Sequence, residues 1–404
     1  VTLPAEPAGP ADATSVHRDR ITWISYALLA IFGFFLYGFG PSVPLLRDEL
    51  GVSRAVGALH ATAMAGGAVV GGLVGERVVT AIGRRALLWT GLGLLCLGAA
   101  GYASVRVLAV TLASALVCGL AGTFILNGVN ATLMEHQGRH GPAAITEANA
   151  GAGAAGIVAP AVVGAAVAVG LGWRPGLLVT VLLAAVAVMV FHGVRVPEPD
   201  PVDQTHHPDG ARSLPRRFWV TWAVLLCVVG VEFCLSLWSS DLLRSRTGLT
   251  SGAATAGFSA VLVGLTVSRF VGGRLATRRE VDWLLTRALV VLLLGFTVFW
   301  AAHTAWLAIT GLVVAGLGLG VQYPLTVGRA IGSAAGRTDL AATRASLAAG
   351  IASGLAPFLL GLLADRVGVH TAFLIVPVLI ALAMVLLVAS RTPRPAAIRP
   401  RTAG

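Results

Sequence analysis

Hydrophobic positions along this chain come in long blocks, not in the alternation of a half-buried strand or the one-sided stripe of a soluble helix. The blocks fall at about 21–41, 55–75, 86–104, 107–132, 146–168, 174–194, 218–240, 252–273, 284–302, 306–328, 343–363 and 371–390, divided by glycine, proline or charged clusters. A helix needs roughly 20 apolar residues to cross a hydrocarbon layer of about 30 Å. Each block approaches that length, so the pattern predicts an all-α membrane protein with twelve transmembrane helices, spans 1 to 12. The narrowest divisions are Ser104 to Arg106, between spans 3 and 4, and Trp173–Arg174, between spans 5 and 6.

The polar stretches set the organisation. The longest internal one, Pro197 to Arg217, follows span 6 and reads as a linker between two six-helix halves. The expected division is a cytoplasmic tail 1–20, a first bundle 21–195, a cytoplasmic linker 196–217, a second bundle 218–390 and a cytoplasmic tail 391–404. With both tails on one side, 21 arginines fall in the loops and tails of that side and 7 in those of the other. Loops rich in positive charge stay in the cytoplasm, so both termini are expected there, in a multi-pass plasma-membrane protein. The first 20 residues lack a basic leader and run into a full span, so a cleaved signal peptide is not expected.

Composition then narrows the function. Hydrophobic residues make up 56% of the 404 and charged residues only 12%, against about 25% charged in an average soluble domain. All 29 basic residues are arginine. Without lysine there is neither a Walker phosphate loop nor a Schiff-base cofactor, and energy must come from a gradient or a partner. Cys96, Cys118, Cys227 and Cys234 lie inside apolar blocks, and His136 and His140 sit in a polar loop, so no metal and no cofactor is expected. The net charge of +11 is spread over short loops, which fits membrane topology and no nucleic acid. No nucleophile with a neighbouring base and no paired catalytic acids are found, which argues against an enzyme.

The sequence also repeats itself. At a shift of 197, Thr146-Glu147-Ala148 matches Thr343-Arg344-Ala345, Ala159-Pro160 with Gly164 matches Ala356-Pro357 with Gly361, and Gly119-Leu120 matches Gly316-Leu317. After spans 2 and 8, Gly72 with Glu76-Arg77 matches Gly273 with Thr277-Arg278, the shift slipping by four residues. These matches make the chain a duplicated six-helix unit.

The loop from Gly71 to Arg85, with Glu76, Arg77, Arg84 and Arg85, resembles a signature of the major facilitator superfamily, with Glu76 where aspartate is usual and about four extra residues before Gly83. The resemblance covers nearly the whole chain. It implies the major facilitator fold: two pseudo-symmetric six-helix bundles around a cavity open alternately to either side, lined by spans 1, 4, 7 and 10.

Glu232 lies near the middle of span 7, where an ionised acid costs roughly 2.5 to 3.5 kcal/mol, and is the candidate for coupling transport to protons. Candidates for the substrate cavity are Tyr37, Asn127, Asn130, Ser236, Trp238, Gln322, Tyr323 and Thr326, polar or aromatic groups on spans 1, 4, 7 and 10. Arg269 is expected to snorkel or pair and not to bind substrate. In the resembled fold the inner ends of spans 5 and 11 meet those of spans 8 and 2. The expected cytoplasmic gate is therefore Glu147 with Arg278 or Arg274 and Glu76 with Arg344, supported by Arg77, Arg84 and Arg85.

The segment Gly156 to Gly164 is similar to a Gly-Pro signature of proton-driven exporters in the family. The expected function is alternating-access secondary transport, as proton-coupled efflux of an amphiphilic compound. Proton-linked uptake of a sugar or organic acid is the alternative; a membrane ligand sensor or lipid-handling protein on the same fold is the alternative from another class. Expected partners are a small-molecule substrate, protons and membrane lipid, with the chain acting as a monomer.

Overall fold

A computed structural model describes residues 16–196, 214–276, 278–334 and 338–390; residues 1–15 and 391–404 of the expected tails and 197–213 of the expected linker lie outside the described residues. Twelve helices among them are long and apolar enough to cross a membrane. They are α1 Arg20–Leu50, α2 Arg54–Ile82, α3 Arg84–Ser104, α4 Leu108–Gln137, α5 Gly141–Ala168, α6 Arg174–Phe191, α7 Arg216–Thr247, α8 Ser251–Gly272, α9 Val281–Ala301, α10 Ala305–Gly332, α11 Thr343–Val367 and α12 Val369–Ala389. No strand occurs among the described residues.

Several helices overrun the apolar blocks. The first block ends at Pro41, yet α1 runs through Pro41 and Pro44 and stops at the left-handed Gly51 (φ 62°). Proline inside a membrane helix is tolerated because neighbouring helices and side chains re-satisfy the freed backbone groups. Likewise α7 continues past position 240 to Thr247 and stops at Gly248 (φ 68°). The last turns of both helices carry charged residues that the apolar pattern assigns to loops.

The helices form two pseudo-symmetric halves, α1–α6 and α7–α12, and the duplication holds in atomic detail at a constant shift of 197. Gly51 and Gly248 end α1 and α7 in the same way. Ser53 and Thr250 cap α2 and α8, each side-chain oxygen accepting a backbone N–H three residues on. Gly67 packs on the Leu116 carbonyl and Gly119 on that of Met64; Gly264 and Gly316 pack identically on Val313 and Val261. A Cβ at any of the four would overlap the facing carbonyl oxygen. The slipped match after α2 and α8 is thereby corrected: Glu76-Arg77 corresponds to Gly273-Arg274, not to Thr277-Arg278.

The two halves touch through α2 on α11 and α5 on α8. The Thr62 hydroxyl donates to the Gly354 carbonyl at 2.9 Å, and the Ser259 hydroxyl donates to the Ile157 carbonyl at 2.8 Å. These hydrogen bonds are mates under the same shift. Both contact lines run from the face opposite the described chain ends to the level of Val69 with Gly350 and Thr266 with Gly153. On α2 that is roughly 22 Å of a helix about 43 Å long. Beyond it, on the face where α1 begins and α12 ends (the terminal face), Glu76, Arg77, Arg274 and Arg344 are exposed. Among the described residues the structure is closed on the opposite face and open on the terminal face.

Candidate functional site

At mid-depth, four polar side chains from four helices converge where the halves begin to part. Glu232 sits 16 residues into the 32-residue α7 and is half-buried. The Arg269 guanidinium of α8 is its electrostatic partner and also interacts with the Tyr37 hydroxyl of α1. Tyr323 of α10 lies within electrostatic reach of both charges. No arginine nitrogen comes within 4.0 Å of the Glu232 carboxylate among the described residues, so the pair interacts without direct contact. Partial exposure at this depth, on helices that face one another, means that these groups line a chamber between the halves. The Tyr37 ring is seated against Gly156 of α5, where a Cβ would overlap it.

The expected cavity residues divide. Tyr37 and Tyr323 stand in the chamber with Glu232. Asn127 is exposed and Asn130 half-buried on α4, the Asn130 Oδ1 lacking a hydrogen-bond partner. Trp238 is not in the wall: it is fully buried and donates from Nε1 to the Pro357 carbonyl of α11 at 2.9 Å. Ser236 is buried against Gly40 of α1, and Gln322 and Thr326 are enclosed within the second half. Helices that are apolar all round give no stripe by which to tell inward from sideways. Arg269, expected to snorkel or pair, has the acid Glu232 as its electrostatic partner.

The closed face is held by an ionic network between the halves. Arg47 binds Asp241 at 2.5 Å, with side-chain exposures of 6% and 3%. Arg54 reaches the same Asp241 at 3.3 Å, and Arg244 bonds Asp48 at 3.0 Å. Asp365 of α11 accepts the backbone N–H groups of Arg54 and Ala55, both at 2.8 Å, so a carboxylate of the second half caps the positive end of α2 in the first. Arg47 also lies over the Trp238 ring, 5.8 Å from its centroid.

The residues expected to gate the terminal face stand apart in this conformation. Glu147 pairs with Arg18 at 3.2 Å and accepts from the Tyr26 hydroxyl at 2.9 Å, both within its own half. Arg84 pairs with Glu135 at 2.5 Å, and Arg85 donates to the His192 carbonyl at 2.7 Å, again within the first half. Arg274 lies over the Phe270 ring; Arg278 is exposed. The ion pairs given for this face among the described residues, Arg18–Glu147, Arg84–Glu135, His136–Asp19 and Arg329–Asp282, each lie within one half. His136, expected in a polar loop, lies in the last turn of α4 and binds Asp19 at 2.7 Å. Burial works to raise the Asp19 carboxyl, but hydrogen bonds from Thr22 and His136 hold it below its ordinary value.

Two duplicated halves, sealed at one face and parted at the other around a charged chamber, define a polytopic membrane transporter and not an enzyme. The family model described as Major Facilitator Superfamily matches residues 25–334, and the chain belongs to that family. Among solved structures it is similar to the nucleoside transporter NupG, at a TM-score of 0.70 and 13% identity over 92% of this chain and 97% of that one. It is similar to a variant of the E. coli fucose:proton symporter FucP, at 0.60 and 16% over 93% and 100%. A bacterial homologue of the human lysosomal transporter Spinster, described as inward-facing and occupied, gives 0.59 and 17% over 92% and 91%. At these identities the likeness is one of fold. No curated protein matches the sequence.

Proposed function

We propose that the chain is a proton-coupled secondary transporter of a small polar solute, neutral or anionic, and that Glu232 carries the proton. The Glu232–Arg269 pair in the chamber supports this reading. With Glu232 ionised the two charges balance. Protonation leaves the guanidinium uncompensated in a low-dielectric site, which favours a solute that brings an acid or a strong acceptor. Proton and solute then bind together and leave together, which is symport. A cationic amphiphile would meet the repulsion of Arg269.

Efflux by antiport is the second reading and rests on the Gly156 to Gly164 segment. That segment has a packing explanation: Gly164 meets the Gly252 carbonyl, and its mate Gly361 meets that of Arg54, so both copies serve the seam between halves. The nucleoside and fucose:proton transporters of the same fold handle polar solutes, in agreement with the first reading. The arginine bias supports a cytoplasmic terminal face, with both termini on that side of a plasma-membrane protein. Glu76 with Arg344, and Glu147 with Arg274 or Arg278, close that face when the other opens.

Proteoliposomes with an acid exterior test the proposal against labelled nucleosides, hexoses and monocarboxylates. Accumulation that follows the proton gradient, and that Glu232→Gln abolishes while solute exchange persists, is the expected result. Undiminished gradient-driven accumulation by the Gln variant would refute it; expulsion of a cationic dye would favour efflux, and binding without flux a sensor.

A further inference from the structure

On the outer edge of the first half, α3 and α6 run antiparallel and leave a groove of about 370 Å³ between them. Trp89, Gly93 and Cys96 line it from α3, and Val181, Ala185 and Val188 from α6. The residue numbers fall on one side as they rise on the other, as neighbouring antiparallel helices require. The lining is apolar over an eight-residue span of each helix, roughly 10 Å of depth. Gly93 leaves it open, since a Cβ there would meet nothing within 4 Å. Leu182, Val186 and Met189 beside it are exposed, which marks this edge as one that faces lipid.

The groove ends at a cluster of positive charge. One turn beyond Trp89 is Arg85, and one turn beyond Val188 is His192, whose carbonyl accepts from the Arg85 guanidinium at 2.7 Å. Arg20 donates to the Val190 carbonyl at 3.4 Å, and the exposed Arg195 follows three residues after His192. Capping the last carbonyls of α6 accounts for one N–H of Arg20 and one of Arg85; a guanidinium has five. The acids nearby are engaged elsewhere, Glu135 by Arg84 and Asp19 by His136. Arg20, Arg85 and Arg195 form no ion pair with an acid among the described residues. The first turn of α3 follows Gly83, which supplies no side-chain cap. An apolar trough, ending in guanidinium groups that pair with no acid among the described residues, on the arginine-rich face, fits one chemistry.

We propose that this groove is a binding site for one anionic phospholipid of the terminal-face leaflet. Its acyl chain lies along Gly93 and Ala185, and its phosphate sits against Arg20 and Arg85. Arg85, expected at the gate, serves instead as a headgroup contact. The proposal is independent of the solute and of the role of Glu232.

Native mass spectrometry of the full chain, titrated with phosphatidylglycerol and with phosphatidylcholine of the same acyl chains, tests it. The wild type should retain phosphatidylglycerol more tightly, and Arg20→Ala with Arg85→Ala should erase the preference, at roughly fivefold per arginine. Gly93→Leu should weaken both lipids, with Ala185→Leu as the second filling variant where the first does not yield monodisperse protein. A preference that survives loss of both arginines would overturn the headgroup site. Unchanged binding in both filling variants would overturn the groove, and equal competition by inorganic phosphate would make the feature an ion site and overturn the lipid assignment.

Discussion

Gly67 and Gly66 are adjacent in α2 and face different surroundings. At Gly67 an added methyl would collide with the Leu116 carbonyl, whereas at Gly66 it would meet nothing within 4 Å. Overpacking typically costs about 1 to 3 kcal/mol, and a glycine-to-alanine change in an open helix position gains up to about 1 kcal/mol. Gly67→Ala should therefore lower the thermal midpoint of the detergent-solubilised protein, and Gly264→Ala should do the same, while Gly66→Ala should hold or raise it. Equal midpoints for Gly66→Ala and Gly67→Ala would mean that the close seam of α2 and α4 carries no stability. Glu232 was legible in the sequence because a lone acid deep in an apolar helix stands out. Arg269 was visible too, but its partner was not: only the folded chain brings α8 opposite α7 and α1.

At the scale of elements, the closed face offers the sharpest test. Asp241 holds Arg47 and Arg54, one on each of two helices of the other half. Removing one member of a buried pair typically costs about 3 to 5 kcal/mol, and here the loss falls on one conformation only. Asp241→Asn should move the population toward the state open at that face. Spin labels at Val107 and Trp306 should separate and labels at Ile82 and Trp283 approach; unchanged distances would leave the network without a gating role. At the other face, Arg344→Glu should impair transport and Glu76→Arg should partly restore it. Additive damage in a vesicle flux assay would count against that pairing. The apolar blocks gave the number of helices and their order because lipid demands unbroken apolar length. They hid this network, since Arg47, Asp48, Asp241 and Arg244 lie on helical turns beyond the apolar blocks and read as loop charges. The repeat was found where proline and glycine spell similar strings, in α4, α5, α10 and α11. Its register slipped at α2 and α8, where the governing fact is a glycine against a carbonyl and a short string match misleads.

Across the whole molecule, the contrast between seams within and between the halves sets how it can move. Inside each half, glycines interlock with backbone carbonyls, so helices there cannot slide without overlap. Between the halves Gly164 and Gly361 meet carbonyls near the closed face, but toward the terminal face the contacts loosen, a Cβ at Gly153 or Gly350 standing 3.6 Å from its neighbour. Rigid halves that tilt against each other follow from that difference. The surface on which they tilt is also self-complementary: the first half carries both the Thr62 donor and the Ile157 acceptor, as an isologous dimer would need. Two copies of it could thus meet as first and second halves do, were it not for Pro44 and Ala168, which stand where the second half has Asp241 and Asp365. Arg54 of such a twin would lose both of the acids it pairs with here. Restoring one acid, by Ala168→Asp in an isolated first half, should raise its dimer fraction in sedimentation, so two carboxylates distinguish a proper mate from a copy of oneself.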